Sequence, residues 1–227
     1  MILDNMTLEE VGKSLLRTTR DNEKRFIRLV THRIKRYRRV VIRRNSRTNF
    51  KLIKCTIENV DFYICPYSYG KKEMKKNAVW FCLLASFKYQ NRRLFCSIDE
   101  SSTHVALYTT HFLERYIERH LKDDSQPGIE TLRRFENERN HIVCAMDVKD
   151  PIYDNRIIAG TRFGIGCGYK VADNVFMYKT YIDKETIRAG EKFRVLETSE
   201  SLLAPVGVDN FNREVTRLEM MDFSEAY

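Results

Sequence analysis

Between Leu8 and Tyr37 the apolar residues recur every three to four positions; beyond residue 40 that spacing gives way to alternation. Leu8, Val11, Leu15, Phe26, Leu29, Val30, Ile34 and Tyr37 make one stripe of an amphipathic helix. Thr7-Leu-Glu-Glu10 has the spacing of a capping box and fixes the start. The pattern predicts one helix to about Arg38, or two broken near Asp21-Asn22. A chain that opens this way must find an apolar surface to receive the stripe, and the alternating segments that follow supply it.

Lys51–Ile57 and Asp61–Cys65 read as a hairpin turning at Glu58-Asn59-Val60. Ala78–Tyr89 and Leu94–Ile98 read as a second, turning at Gln90-Asn91. Tyr67–Asn77, with Gly70 and four lysines, reads as an exposed loop in which Tyr67 and Tyr69 are candidates for base stacking. A strand at Val105–Tyr108 leads into a helix from about His111 to Lys122, which Asp123-Asp-Ser-Gln-Pro-Gly128 ends. A polar helix runs to about Asn140. Arg156–Lys170 and Val175–Ile182 form a third hairpin, Phe193–Glu197 a further strand. Helices and strands mix without βαβ regularity, so the expected class is α+β with an antiparallel sheet. The organisation is a basic helical segment over residues 1–45 and an α+β domain over 46–227. No Pro/Ser linker separates them, so one continuous domain is the alternative.

The chain has 227 residues, 43% of them hydrophobic, enough for a sizeable core. The longest apolar run, Ala78–Phe87, is too short to span a bilayer. Asp4, Glu9 and Glu10 stand where a signal peptide would carry its apolar core. Six cysteines show no C-x-x-C or zinc-like Cys/His spacing, which fits free thiols in a reducing compartment. A cytoplasmic protein with no membrane partner is expected. No P-loop, H-E-x-x-H or G-x-S-x-G occurs, and neither a metal nor another cofactor is expected.

The formal net charge is +9, unevenly spread. Arg17–Arg47 holds 13 basic residues, 11 of them Arg, against 2 acidic ones. So dense a cluster attracts polyanions, and its arginines suit phosphate. Arg28, Arg33, Lys35, Arg36, Arg38, Arg39, Arg43 and Arg44, with Arg162 from the late hairpin, are the candidate nucleic-acid contacts. A solvated helix face without a ligand is the alternative.

Thr109-Thr-His-Phe-Leu-Glu-Arg-Tyr-Ile-Glu-Arg-His120 is the most specific segment. His111, Arg115 and Arg119 fall four apart on one helical strip. With Thr110 as N-cap, His111 sits in the first turn, where the dipole favours neutral imidazole. Arg115 stands one turn on, placed to hold phosphate. Base and cation in this order suit metal-free RNA cleavage. Ordinary pairing of Glu114 and Glu118 with the cations is the alternative. In Arg156–Lys170, Gly160, Gly164, Gly166 and Gly168 share one parity, leaving a strand face bare for a packed helix or a nucleic-acid backbone.

The T-H-x-x-x-R-x-x-x-R helix, followed by a glycine-containing hairpin ending in Lys179-Thr-Tyr-Ile-Asp183, resembles small nucleases of the barnase/colicin/RelE-like superfamily over residues 105–185. The resemblance implies a helix packed on an antiparallel sheet and RNA cleavage without metal. It implies His111 as base or acid, Arg115 and Arg119 on phosphate, and Thr180 as the hydroxyl on the sheet. The chain departs from that pattern in the strand-rich region before the helix and the roughly 35 residues between helix and hairpin.

The expected function is nucleic-acid binding, RNA before DNA, joined to metal-independent endoribonuclease activity of a mobile-element or toxin-like kind. The alternatives are a non-catalytic nucleic-acid-binding or regulatory protein, and an interaction protein whose basic helix meets an acidic partner. The cleaving reading requires His111, Arg115 and Thr180 to line one cleft on the same side as the basic helix.

Overall fold

The computed structural model describes residues 1–44, 48–68, 80–99, 102–138, 156–160, 163–183 and 185. It describes no side chain at 34, 36–44, 48, 49, 68, 80, 138, 156 or 158–160. The strand expected at Phe193–Glu197, residues 69–77 of the expected Tyr67–Asn77 loop, Cys144 and Arg162 lie outside the described residues; Tyr67 itself is buried in a strand and not exposed for base stacking.

The first helix, α1 (Leu8–Arg44), is the single helix of the two alternatives, running unbroken through Asp21-Asn22 for 37 residues, about 55 Å, and ending six residues beyond Arg38. Asn22 is accommodated because its side-chain amide donates to the carbonyl of Thr18 within the helix (2.9 Å). The capping box forms as its spacing predicts. The Glu10 carboxylate accepts from the Thr7 amide at 2.7 Å, and the Glu10 amide donates to Thr7 Oγ1 at 3.2 Å. The segment before α1 is tied to two strand turns: Ile2 exchanges bonds with the Asn59 side chain, and the Tyr89 hydroxyl donates to the Met6 carbonyl at 2.6 Å.

The strands are β1 (Thr48–Asn49), β2 (Ile53–Ile57), β3 (Val60–Ser68), β4 (Trp80–Tyr89), β5 (Arg92–Ile98), β6 (Val105–Thr109), β7 (Arg156–Gly160), β8 (Gly164–Ala172) and β9 (Val175–Asp183). They form one sheet in the order β1-β3-β4-β5-β6-β9-β8-β7, with β2 also on β3. The first two hairpins turn where expected. Glu58, Gln90 and Asn91 take the positive φ that a tight two-residue turn requires.

The class is α+β, but the sheet is mixed. β6 and β9 pair in parallel, Val105 opposite Val175 to Tyr108 opposite Tyr178, whereas the other neighbours are antiparallel. The chain leaves β6 through two helices and returns by the β7–β8 hairpin, so β9 joins β6 in the same direction. The Arg156–Lys170 run is correspondingly two strands, β7 and β8, paired to one another.

Helix α2 (Thr110–Tyr116) follows β6 directly and passes into a π-helical turn at Ile117–Leu121, closed by left-handed Lys122. Helix α3 is Ile129–Glu138. The sheet separates two cores. On one side Val11, Leu15, Phe26 and Val30 of α1 meet Phe62, Ile64, Ala85, Cys96, Val105, Leu107 and Val175. On the other, α2 and α3 enclose Leu84, Phe95, Tyr108, Phe112, Tyr116, Leu132, Phe135, Tyr178 and Tyr181. Residue 45 therefore separates two sequence periods and not two cores, because α1 shares its core with the sheet.

Candidate nucleic-acid interface

Helix α1 turns its buried stripe to the sheet and its cations to solvent. Lys13, Arg17, Arg20, Lys24, Arg28 and Lys35 are all exposed. At 3.6 residues per turn they fall within an arc of about 80°, opposite Leu15, Phe26 and Val30, in a row about 33 Å long. Arg25 is exposed beside the row, whereas Arg33 is half-buried and points towards the packed side. Lys13 pairs with Glu9 at 2.6 Å, and Arg20 Nε donates to the Ser102 carbonyl at 3.3 Å. Among the described residues, Arg17, Lys24, Arg25, Arg28 and Lys35 enter no ion pair, although Asp21 and Glu23 stand nearby in sequence. Arg36, Arg38, Arg39, Arg43 and Arg44 continue the helical backbone; their side chains lie outside the described residues.

The α2 strip is built differently. Thr109, not Thr110, is the N-cap: its Oγ1 accepts from the Phe112 amide at 3.0 Å. Thr110 Oγ1 donates instead to the Arg93 carbonyl at 3.1 Å. Thr109 ends a strand in extended conformation, as an N-cap must, while Thr110 is already helical. His111 is exposed, with Nδ1 3.6 Å from Glu114 Oε2. Arg115 Nη1 is bound to Glu118 Oε2 at 2.6 Å. Arg119 Nη1 donates to the Tyr181 carbonyl at 3.0 Å, joining the π-helical turn to β9. The two guanidinium groups expected on phosphate are thus engaged with a carboxylate and a strand carbonyl.

Thr180 lies on β9 but not on the side of α2. A bulge at Lys179 shifts the register, so that Gly168 faces Tyr178 while Cys167 faces Thr180 and Gly166 faces Tyr181. Tyr178 and Tyr181 therefore share the α2 side, where Tyr181 meets Phe112 and Tyr116. Side chains alternate along a strand, so Thr180, next to Tyr181 and opposite Cys167, projects to the other face. The expected cleft of His111, Arg115 and Thr180 is not formed. Nor do the α1 cations share a side with the α2 strip, because the sheet stands between them.

The bare glycine face has a plain occupant. A Cβ on Gly166 would lie 3.2 Å from the Phe112 ring and 3.4 Å from Tyr178, and one on Gly164 would meet the Tyr181 ring. The glycines admit these aromatic rings beneath α2, leaving no room for a nucleic-acid backbone.

Other cations of the α2–α3 side are also paired. Lys122 meets Glu185 at 3.3 Å, Arg133 meets Glu130 at 2.8 Å and Arg134 meets Asp123 at 2.6 Å. Bonds from Ser125 and then from Arg134 hold the Asp123 carboxyl down at about 2. Among the described residues no group of three or more His, Cys, Asp or Glu side chains is placed to hold a metal ion. None of their helices is long and apolar enough to cross a membrane.

The individual contacts expected from sequence began at Arg28, within a cluster read from Arg17, and did not name Lys13, Arg17, Arg20 or Lys24. The signal that identifies them is their own three-and-four spacing, which places them in line with Arg28 and Lys35. No family model, curated protein or solved structure matches this chain.

Proposed function

We propose that this protein binds nucleic acid through the outward face of α1, by contact with the phosphate backbone and without cleaving it. The observation that carries the reading is the row of exposed cations from Lys13 to Lys35, most of it without a carboxylate partner among the described residues. Like charges one helical turn apart repel one another, and a chain of phosphates relieves that repulsion while releasing its own counterions. The contacts are of the positioning kind, since the row consists of Lys and Arg alone. Separation of His111 from Thr180, and of the α2 strip from the α1 cations, favours the binding role over the endoribonuclease one.

The test is a gel shift with single- and double-stranded RNA and DNA over a range of salt, scored for retardation and for degradation. Five to six neutralised phosphates give a slope of log K against log salt of about −4.5 to −5.4 on a duplex. Retardation without degradation, weakened by salt, is the expected result. Failure of every oligonucleotide to shift at low salt overturns the proposal and leaves the acidic protein partner as the reading of the same helix face.

A further inference from the structure

Cys65 and Cys82 are direct partners across the antiparallel β3–β4 pair. In-register residues project to the same face with Cα atoms about 4.5–5.5 Å apart, which brings two thiols side by side. Both lie with the α2–α3 core, Cys65 buried and Cys82 half-buried. Between them and α3 is a cavity of about 10 Å³, room for one atom-sized guest, bounded by both cysteines, Phe50, Tyr67, Arg133 and Asn137. We infer that this dithiol is a binding site for a single thiophilic monovalent cation, copper(I) or silver(I) in type.

The donor set decides the class of ion. Two sulfurs and no imidazole or carboxylate line the cavity, which falls short of the four ligands of structural zinc. Soft d10 monovalent ions accept two thiolates alone and prefer them to oxygen or nitrogen. On binding, each thiol gives up its proton and each sulfur forms one bond to the metal. One cation and two thiols become a bis-thiolate complex of charge −1 and two released protons. Arg133 is the cation at the cavity wall that offsets this charge, although Glu130 already shares it. Because two protons leave as the two metal–sulfur bonds form, binding strengthens as pH rises.

The probe is silver(I), added to the full chain in thiol-free buffer. The readouts are the mass of the complex and the rate at which Cys82, the more accessible thiol, is alkylated. One silver ion per chain and at least ~10-fold slower alkylation of Cys82 are expected, with protection growing as pH rises. Cys65→Ser should lose the protection, and Cys167→Ser, at a cysteine on the other face, should keep it. Cys82→Ser, at the half-buried position, should retain silver less tightly than the parent even if Cys65→Ser does not fold. Unchanged alkylation of Cys82 with silver, or full protection in Cys65→Ser, overturns the two-sulfur site. So does a freshly purified chain lighter by two hydrogens with Cys65 and Cys82 joined, since the pair would then be a disulfide. None of these outcomes bears on α1, which lies across the sheet.

Discussion

The two faces of the sheet differ both in what packs on them and in how their charges are used. The α1 face is covered by one long helix and filled mainly by aliphatic side chains with Phe26 on Phe62. The α2 face is covered by short helices and filled by aromatic rings: Phe112 meets Tyr108, Phe135, Tyr178 and Tyr181 within ring-centroid distances of 5.0–6.2 Å. Cations over the aromatic face are bound to carboxylates or carbonyls, whereas most cations over the aliphatic face stand without such partners among the described residues. A paired cation has little left to offer a phosphate, and one without a carboxylate partner gains most from it. The lesson is that density of basic residues in sequence does not locate a polyanion surface; the distribution of carboxylates in the fold does.

Several substitutions would sharpen or break this contrast. The largest effect should come from Phe112→Ala, which empties the centre of the aromatic core and should cost about 3–5 kcal/mol in urea unfolding. Phe26→Ala should cost less, and a larger loss at Phe26 would invert the ranking of the two cores. Next, Gly168→Ala places a methyl group against the Met177 backbone, where Gly12→Ala meets only the side chain of Val175. Gly168→Ala should therefore lower the melting temperature more than Gly12→Ala, because a strand backbone yields less than a rotamer.

Joint replacement of Arg17, Lys24 and Arg28 by Glu should weaken oligonucleotide binding at least ~100-fold, with a shallower salt slope. Replacing His111 and Arg115 by Ala should change it by less than about twofold. Equal losses from the two sets would erase the distinction between the faces. Smaller still, Thr109→Ala and Thr7→Ala should each cost about 1 kcal/mol through a lost cap, measured by chemical denaturation.

The smallest effect is in acid. Asp123 is held at about 2, below the ordinary carboxylate value near 3.9. Its folded form is the weaker proton binder, so its contribution is present above about pH 4 and is lost as pH falls towards 2. Arg134→Gln should reduce that acid-limb dependence, read as the melting temperature between pH 5 and 2, and leave any binding by α1 as it was.

Much of the fold was legible because it is local. The capping box at Thr7 and Glu10, the stripe of α1 and the turns at Glu58-Asn59 and Gln90-Asn91 depend on residues a few positions apart. The proposed site was legible only in part: the basic helix was evident, but the row that matters begins at Lys13. His111, Arg115 and Thr180 formed a persuasive motif on paper because spacing reports the face of one element, and nothing in it reports which face of a sheet a second element presents.

What the amino-acid order settled alone is therefore where helices and hairpins begin and turn, and that α1 has one apolar and one cationic side. These follow from backbone periodicity and from bonds within a few residues. Tertiary structure alone decided that β9 joins β6 in parallel, that α1 and α2 lie on opposite faces, and that the Lys179 bulge turns Thr180 away from the face of Tyr178. The parallel pairing joins segments 70 residues apart and the bulge lies within the β8–β9 hairpin; in both, register is chosen by the packing of whole faces, and one inserted residue reverses every side chain after it.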